Sequence, residues 1–212
     1  STLIYSIMEV KSPYIKTKLN TTVTLYPNQM NNNLYINLKK NLTNDIEKKC
    51  LKDFGYIDKV YEIIEYKNGC IEAENILAAA SYDIEFSCKL CRPVRNRIII
   101  AQVKHLTRAL IKLENGPIMI FVTNDNMDDV YLRDNYGVLR VKEKDTTKIV
   151  DVGDFVKIKI IQFNFNNTDD HIVAIGYMLG QCTDKEIKKF YEDIYGGTDS
   201  GDVDFSTYKS VA

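Results

Sequence analysis

The sequence predicts an α+β chain in two parts: a helix on a mostly antiparallel sheet, followed by a five-stranded β-barrel. Three observations carry this reading. One amphipathic helix stands among β-rich runs in the first half, the second half is nearly all short strands, and the alternation over 82–90 stops at Arg92-Pro93 before a new apolar run begins at Ile98. Within 82–90 the apolar residues Tyr82, Ile84, Phe86, Cys88 and Leu90 take every second position, as in a half-buried strand. Proline donates no ladder hydrogen bond and cannot continue that strand. One domain is therefore expected over 1–92 and a second over 93–182, with a C-terminal helix at 183–197 and a disordered tail at 198–212.

In the first half, 4–10 and 21–26 are β-rich runs separated by Pro13, and Pro27 closes the second. Asn31, Asn32 and Asn33 offer side-chain acceptors for the free amides of a helix start. Leu34, Leu38, Leu42 and Ile46 follow at four-residue steps, which makes the segment an amphipathic helix. Lys39, Lys40, Lys48 and Lys49 are read as its solvated side. Next come 53–57, an alternating run over 60–64, a turn at Asn68-Gly69 and an apolar segment over 71–80. Gly55, flanked by Phe54 and Tyr56, either admits a close backbone approach or marks a strand bulge. The residues alone leave both open.

The second half offers strands at 98–106, 109–113 and 118–122, the latter two joined through Asn115-Gly116, a hairpin signal. A less regular stretch over 124–149 precedes a further hairpin, 154–163 and 171–179. Three strands, an insertion and two strands is the order of an OB-type barrel, a scaffold that binds single-stranded nucleic acid by stacking bases on aromatics while Lys and Arg neutralise phosphates. The candidates for that work are Lys104, His105, Arg108, Phe121, Tyr131, Arg133, Phe163 and Phe165, with Phe121 and Phe163 also readable as core. Thr183 and Glu186 form a capping box, and Ile187, Phe190, Tyr191 and Ile194 line one face of the helix that follows.

Charge locates the contact. Lys and Arg total 28 against 29 Asp and Glu, a net charge of -1, so polyanion binding by bulk charge is excluded and a local patch is required. Between Phe86 and Leu113 there is no acidic residue, while Lys89, Arg92, Arg95, Arg97, Lys104, Arg108 and Lys112 are all basic. No apolar run approaches the roughly 18 to 20 residues that span a bilayer, and the start lacks a signal-peptide layout. The expectation is a soluble, intracellular protein with no membrane association. Five cysteines at irregular spacing suit a reducing compartment better than a disulfide framework. Cys88 and Cys91 have half the spacing of a zinc site, yet no second pair exists and residues three apart on a strand face opposite ways. No phosphate-binding loop, nucleophile elbow or zinc-protease motif occurs, so neither a cofactor nor catalysis is expected.

Thr24-Leu25-Tyr26-Pro27, the helix from Leu34, Cys50, Asp53-Phe54-Gly55-Tyr56-Ile57, Arg92-Pro93, Gly116-Pro117 with Phe121-Val122, and Ala174-Ile175-Gly176 occur in the order and at the spacing of one family. Over about 21–179 the chain resembles the seventh subunit of RNA polymerase II and its archaeal counterpart. The resemblance implies a ribonucleoprotein-like N-terminal tip domain that plugs into the polymerase core, an OB domain that contacts nascent single-stranded RNA, and pairing with a smaller stalk subunit. Phe54, Gly55, Tyr56, Asn68 and Gly69 match the segments that face the core. Where the family has an aromatic and Lys-Gly-Glu, this chain has Val94-Arg95-Asn96-Arg97, which adds Arg95 and Arg97 to the RNA candidates. That departure, with the AT-rich residue usage, points to a large cytoplasmic DNA virus, hence to host cytoplasm and virion; a cellular homologue would be nuclear. The alternative is a free-standing OB-domain RNA-binding protein of translation or RNA processing.

Overall fold

A computed structural model describes residues 9–67, 69–71, 77–134, 137–143 and 146–196. It divides into two compact units, one of Tyr14–Arg92 with Phe165–Asp170, the other of Pro93–Asn164 with the residues up to Pro13 and from His171 onward.

The first unit is built on a long antiparallel sheet. Strand β1 (Tyr14–Leu25) starts directly after Pro13, and its twelve residues pair without a break with β5 (Ala80–Cys91). On the other side of β5 lies β3 (Gly55–Tyr66), which pairs in turn with β2 (Lys49–Leu51), while the short β4 (Cys70–Ile71) extends the pairing at Ala80 and Ser81. The β3–β5 register shifts three times, between Ile57 and Lys59, Val60 and Glu62, and Ile63 and Glu65. Such bulges bend a strand and strengthen its twist.

Helix α1 (Leu34–Ile46) covers one face of this sheet. Leu38 and Leu42 are fully buried in a cluster with Leu19, Val23, Leu25, Ile57, Ile84 and Phe86. Each such aliphatic contributes about 1.5–3 kcal/mol relative to exposure. The expected cap differs in detail. Asn33 occupies the N-cap position without a side-chain cap bond, and Asn31 Oδ1 instead accepts from the Asn33 N–H at 2.9 Å. An Asn-rich turn offers several such local bonds, and the one that closes two residues apart prevails here. Of the expected strand over 4–10, all but the end lies outside the described residues, as do Asn68, residues 72–76 of the 71–80 segment and the 198–212 tail.

The second unit holds a closed barrel. Strands β6 (Ile98–Leu106), β7 (Leu110–Asn115) and β8 (Ile118–Thr123) form an antiparallel meander, and β12 (Phe155–Asn164) and β13 (Ile172–Gln181) form a hairpin. Closure comes from an antiparallel pair of β12 with β6 and a parallel pair of β13 with β8. This is the strand order of the OB-type barrel. Its interior is aliphatic, with Ile99, Val103, Ile111, Leu113, Ile118, Ile120, Val156, Ile158, Ile160 and Met178 buried.

The stretch read as irregular contains a small sheet, with β9 (Tyr131–Arg133), β10 (Leu139–Glu143) and β11 (Thr146–Ile149) in the order β11-β10-β9. Helix α2 (Asp184–Tyr195) starts at the expected capping box: Thr183 Oγ1 accepts from the Glu186 N–H, and Glu186 Oε2 accepts from the Thr183 N–H at 2.8 Å. Phe190 is buried edge-on to Phe155 with ring centroids 5.1 Å apart, so the apolar stripe packs on the barrel. Burial works against the Glu186 charge, but the Lys157 ammonium 2.8 Å away and the Thr183 N–H outweigh it, holding the carboxyl below its ordinary range.

A Cβ on Gly176 would fall on Ile158 Cγ2 and within 2.9 Å of Ile120 Cγ2; Gly176→Ala is therefore expected to destabilise by roughly 1–3 kcal/mol, read as a lower urea midpoint. A depressed folded-state pKa at Glu186 means its stabilisation is present above the unfolded value and lost as pH falls through the folded one. Near-ultraviolet circular dichroism of the Phe155–Phe190–Tyr191 cluster should thus weaken in the acidic range below the ordinary glutamate pKa. Glu186→Gln should flatten that transition, and Thr183→Ala should cost about 1 kcal/mol at neutral pH.

Candidate nucleic-acid interface

Barrel pairing decides which side chains share an outer surface. On β7, Ile111 and Leu113 point inward, so Lys112 and Glu114 point out; on β8, Ile120 and Val122 point inward, so Met119 and Phe121 point out. Cross-strand register then sets His105 opposite Lys112, Lys112 opposite Phe121, Phe121 opposite Ile175, and Ile175 opposite Gln162. A row of one imidazole, one ammonium and one aromatic ring crosses three strands, with the exposed aliphatic Ile175 beside it on a fourth. Lys112 Nζ is held 3.1 Å from Glu114 Oε1. Lys104 adjoins His105 at a register shift in β6, which leaves both side chains exposed. Lys112 and Ile175 were missed as site residues, although the alternation of Ile111 and Leu113 was the signal that turns Lys112 outward.

Other candidates separate. Arg108 lies in the turn between β6 and β7, where a Cβ on Gly137 would approach its Cγ to 3.1 Å. Arg133 Nη1 donates to Thr107 O at 2.6 Å and to Gly137 O at 3.3 Å, and burial lowers its pKa. Its guanidinium braces the Thr107–Leu110 turn, which also closes through the Thr107 hydroxyl. Tyr131 is buried in the small sheet. Arg95 and Arg97 precede β6, about 26 Å from its far end at some 3.3 Å per residue, and the Arg95 Nε donates to Ile161 O at 3.0 Å. Phe163 shares the inward register of Ala174 and is half-buried. Phe165 falls with the first unit, in the segment whose Asp169 O accepts from the Cys50 N–H at 2.7 Å. The acid-free stretch of sequence is therefore spread over several surfaces.

The first unit presents a different kind of surface. The β2–β3 turn, Lys52-Asp53-Phe54, is clamped by Arg92, whose Nη1 donates to Asp53 O and, at 2.8 Å, to Phe54 O. Gly55 has φ +147°, and a Cβ there would stand 2.7 Å from Cys91 O. The close approach at this glycine is thus made by the chain's own β5. Tyr56 is buried and Phe54 is 39% exposed, which leaves Phe54 as the aromatic of this turn that a partner can reach. Gly69 is exposed, and a Cβ there would stand 2.5 Å from the Tyr82 ring.

Among the described residues no group of three or more His, Cys, Asp or Glu converges to hold a metal ion. Cys88 and Cys91 sit on opposite faces of β5, and burial pushes the Cys88 thiol up to about 11 and the Cys91 thiol higher still. No described helix is long and apolar enough to cross a membrane.

The chain is of the class that joins an OB-type barrel to a helix-on-sheet unit, and sequence comparison narrows it. The chain is 32% identical over 186 residues to an Acanthamoeba polyphaga mimivirus protein named, by inference, DNA-directed RNA polymerase subunit L376, a match covering 88% of this chain and 92% of that one. It is 27% identical over 111 residues to the RNA polymerase II subunit RPB7 of Glycine max and 24% over 112 residues to that of Saccharomyces cerevisiae. Those two matches cover 52% and 51% of this chain, and 62% and 64% of the respective relatives. No family model matches the chain. The chain belongs to the RPB7-like subunits of DNA-directed RNA polymerase, as a homologue of the giant-virus type.

Gly55→Ala is expected to destabilise by at least roughly 2 kcal/mol, from a disallowed backbone region together with the Cys91 contact. Phe54→Ala should change stability by no more than about 0.5 kcal/mol. Urea midpoints at unchanged slope would check both.

Proposed function

We propose that this subunit is a non-catalytic stalk component of its polymerase, anchored through the first unit and touching nascent single-stranded RNA with the barrel. The similarity to a polymerase subunit over nearly the whole chain carries the reading, and the row His105–Lys112–Phe121 supplies the chemistry for RNA. An aromatic ring beside an ammonium and an imidazole stacks a base and neutralises a phosphate without reading sequence. Lys104 and Arg108 extend the positive potential along and beyond β6. Arg95 and Arg97 contribute as exposed cations at the other end of that strand. Arg133 and Tyr131 act by holding the neighbouring turn and the small sheet. Phe163 and Phe165, half-buried like Lys112 and Phe121, are further candidates.

Docking to the core runs through the Phe54 turn, with Gly55 and Tyr56 setting its shape; Gly69 is a further contact, as is Asn68, which lies outside the described residues. A smaller stalk subunit is the expected partner. Host cytoplasm and virion are the expected locations for a giant-virus enzyme.

Affinity purification of the tagged chain should recover the large polymerase subunits, and Phe54→Ala should reduce that recovery while the fold persists. Failure of the wild-type chain to retain any polymerase subunit would overturn the stalk assignment. RNA affinity should fall steeply with salt. Phe121→Ala should weaken it by about 1–3 kcal/mol, the range for a stacked base, and Lys112→Gln should reduce the salt slope by about 0.7. Replacing Arg95, Arg97, Lys104 and Arg108 together by Ala should weaken binding across all sequences. Affinity indifferent to salt and to these changes would remove the barrel row from the mechanism.

A further inference from the structure

Strand β1 is the outer strand of the first unit's sheet: β5 pairs with it on one side, and among the described residues no strand lies on the other. Such an edge presents a row of unpaired backbone N–H and C=O groups, a template for another chain. Proteins blunt their edges with short strands, proline, bulges or lysine. The first three are missing from β1, whose twelve residues contain no proline and pair with β5 in one unbroken register. Thr17, Thr21, Thr22, Val23 and Thr24 also favour an extended chain. The remaining guard is Lys16 and Lys18, both exposed on the face of the sheet opposite the buried Leu19 and Val23.

The acids of that outer face stand at the other end of the strand and one strand in. Asn20 lies opposite Glu85, which lies opposite Glu65, and Thr22 lies opposite Asp83, whose carboxylate accepts from the Thr22 hydroxyl at 3.0 Å. A two-fold axis at Leu19, normal to the sheet, brings the two ends together. Antiparallel pairing about Leu19 sets Lys18 opposite Asn20 of the second copy, with that copy's Glu85 behind it, and Lys16 opposite Thr22, with Asp83 behind it. Asn20 and Thr22 are short, so each ammonium reaches over them toward a carboxylate two strand spacings away, about 9.6 Å. On the inner face the same axis sets Leu19 against its own mate, Thr17 against Thr21 and Ile15 against Val23. Ile15 is 54% exposed and Val23 only 1%, so the pairing shields an aliphatic otherwise left in water. No lysine meets a lysine in this register, whereas a one-residue slip would bring the inner face of one copy level with the outer face of the other.

We propose that β1 is a self-association edge, which pairs antiparallel with β1 of a second copy of this chain about Leu19 and joins two sheets into one. The contact is isologous, so it closes at two copies and consumes both β1 edges. Pairing along one strand buries little area, which makes the dimer weak and concentration-dependent. It does not rest on the stalk reading, and it uses neither the barrel row nor the Phe54 turn.

Sedimentation velocity of the full chain over a concentration series should show a reversible monomer–dimer equilibrium that weakens as salt rises. K16E/K18E sets glutamates beside Asp83 and Glu85 of the second copy, and D83K/E85K sets lysines beside its Lys16 and Lys18. Each variant should raise the dimer dissociation constant at least roughly tenfold, because like charges in neighbouring positions of a sheet repel, and melting curves should show both folded. An equal mixture of the two restores opposite charges across the edge and should return the affinity to near the wild-type value. In the wild type, the amides of 15–23 should exchange with solvent more slowly at high protein concentration than at low. A chain that stays monomeric throughout overturns the proposal, as does a dimer that neither variant weakens. Weakening in both variants without recovery in the mixture overturns the two-fold register. A free chain that is monomeric, with β1 amides protected only in purified polymerase, assigns the edge to another subunit and overturns the second copy.

Discussion

Closure of the barrel depends on one strand fitting between two others where there is no room for a side chain. β13 runs parallel to β8 on one side and antiparallel to β12 on the other, and Gly176 sits where Ile158 and Ile120 fill the space a Cβ would take. With β13 seated, inward and outward alternation is settled on every strand of the ring, since a one-residue slip would turn every outward residue into the aliphatic interior. The same seating brings Ile175 to Phe121, and so completes the outer row that begins at His105. The surface proposed for RNA is therefore a by-product of how the core closes, and its residues cannot be regrouped without opening the barrel.

The first unit follows a related rule with different parts. Arg92 is the last residue before the barrel unit, and its guanidinium fastens the β2–β3 turn by its carbonyls, while the neighbouring Cys91 carbonyl closes on Gly55. Shape at this turn is imposed from β5, which leaves Phe54 free to present its ring. A position that would look functional because it is Gly between two aromatics is explained largely by backbone approach within the chain.

Much of the architecture was legible because it rests on periodicity. The alternation over 82–90 became β5, the four-residue steps from Leu34 became α1, and Thr183 with Glu186 started α2. The strand order of the barrel could likewise be read from run lengths and the Asn115-Gly116 turn. What escaped depended on tertiary pairing. In β9 to β11 the buried Tyr131, Leu139 and Val141 are separated by Gly137 and polar residues, so no long alternating run announces the sheet. The basic stretch 89–112 read as one patch, yet a strand, two turns and an ion pair distribute its charges over different surfaces. A row of lysines across the first sheet is the converse case: Lys16, Lys59 and Lys89 are remote in sequence, and their alignment depends on shifts in β3 that no local pattern reveals.

Burial of the cysteines has a practical side. Cys50 and Cys88 are pushed to about 11 and Cys182 to about 12, so at neutral pH these thiols stay protonated and poorly nucleophilic, while Cys70 on β4 is exposed. A maleimide dye or spin label would thus mark the sheet's far end at one place without engineering, giving a native reporter on the surface beside Gly69.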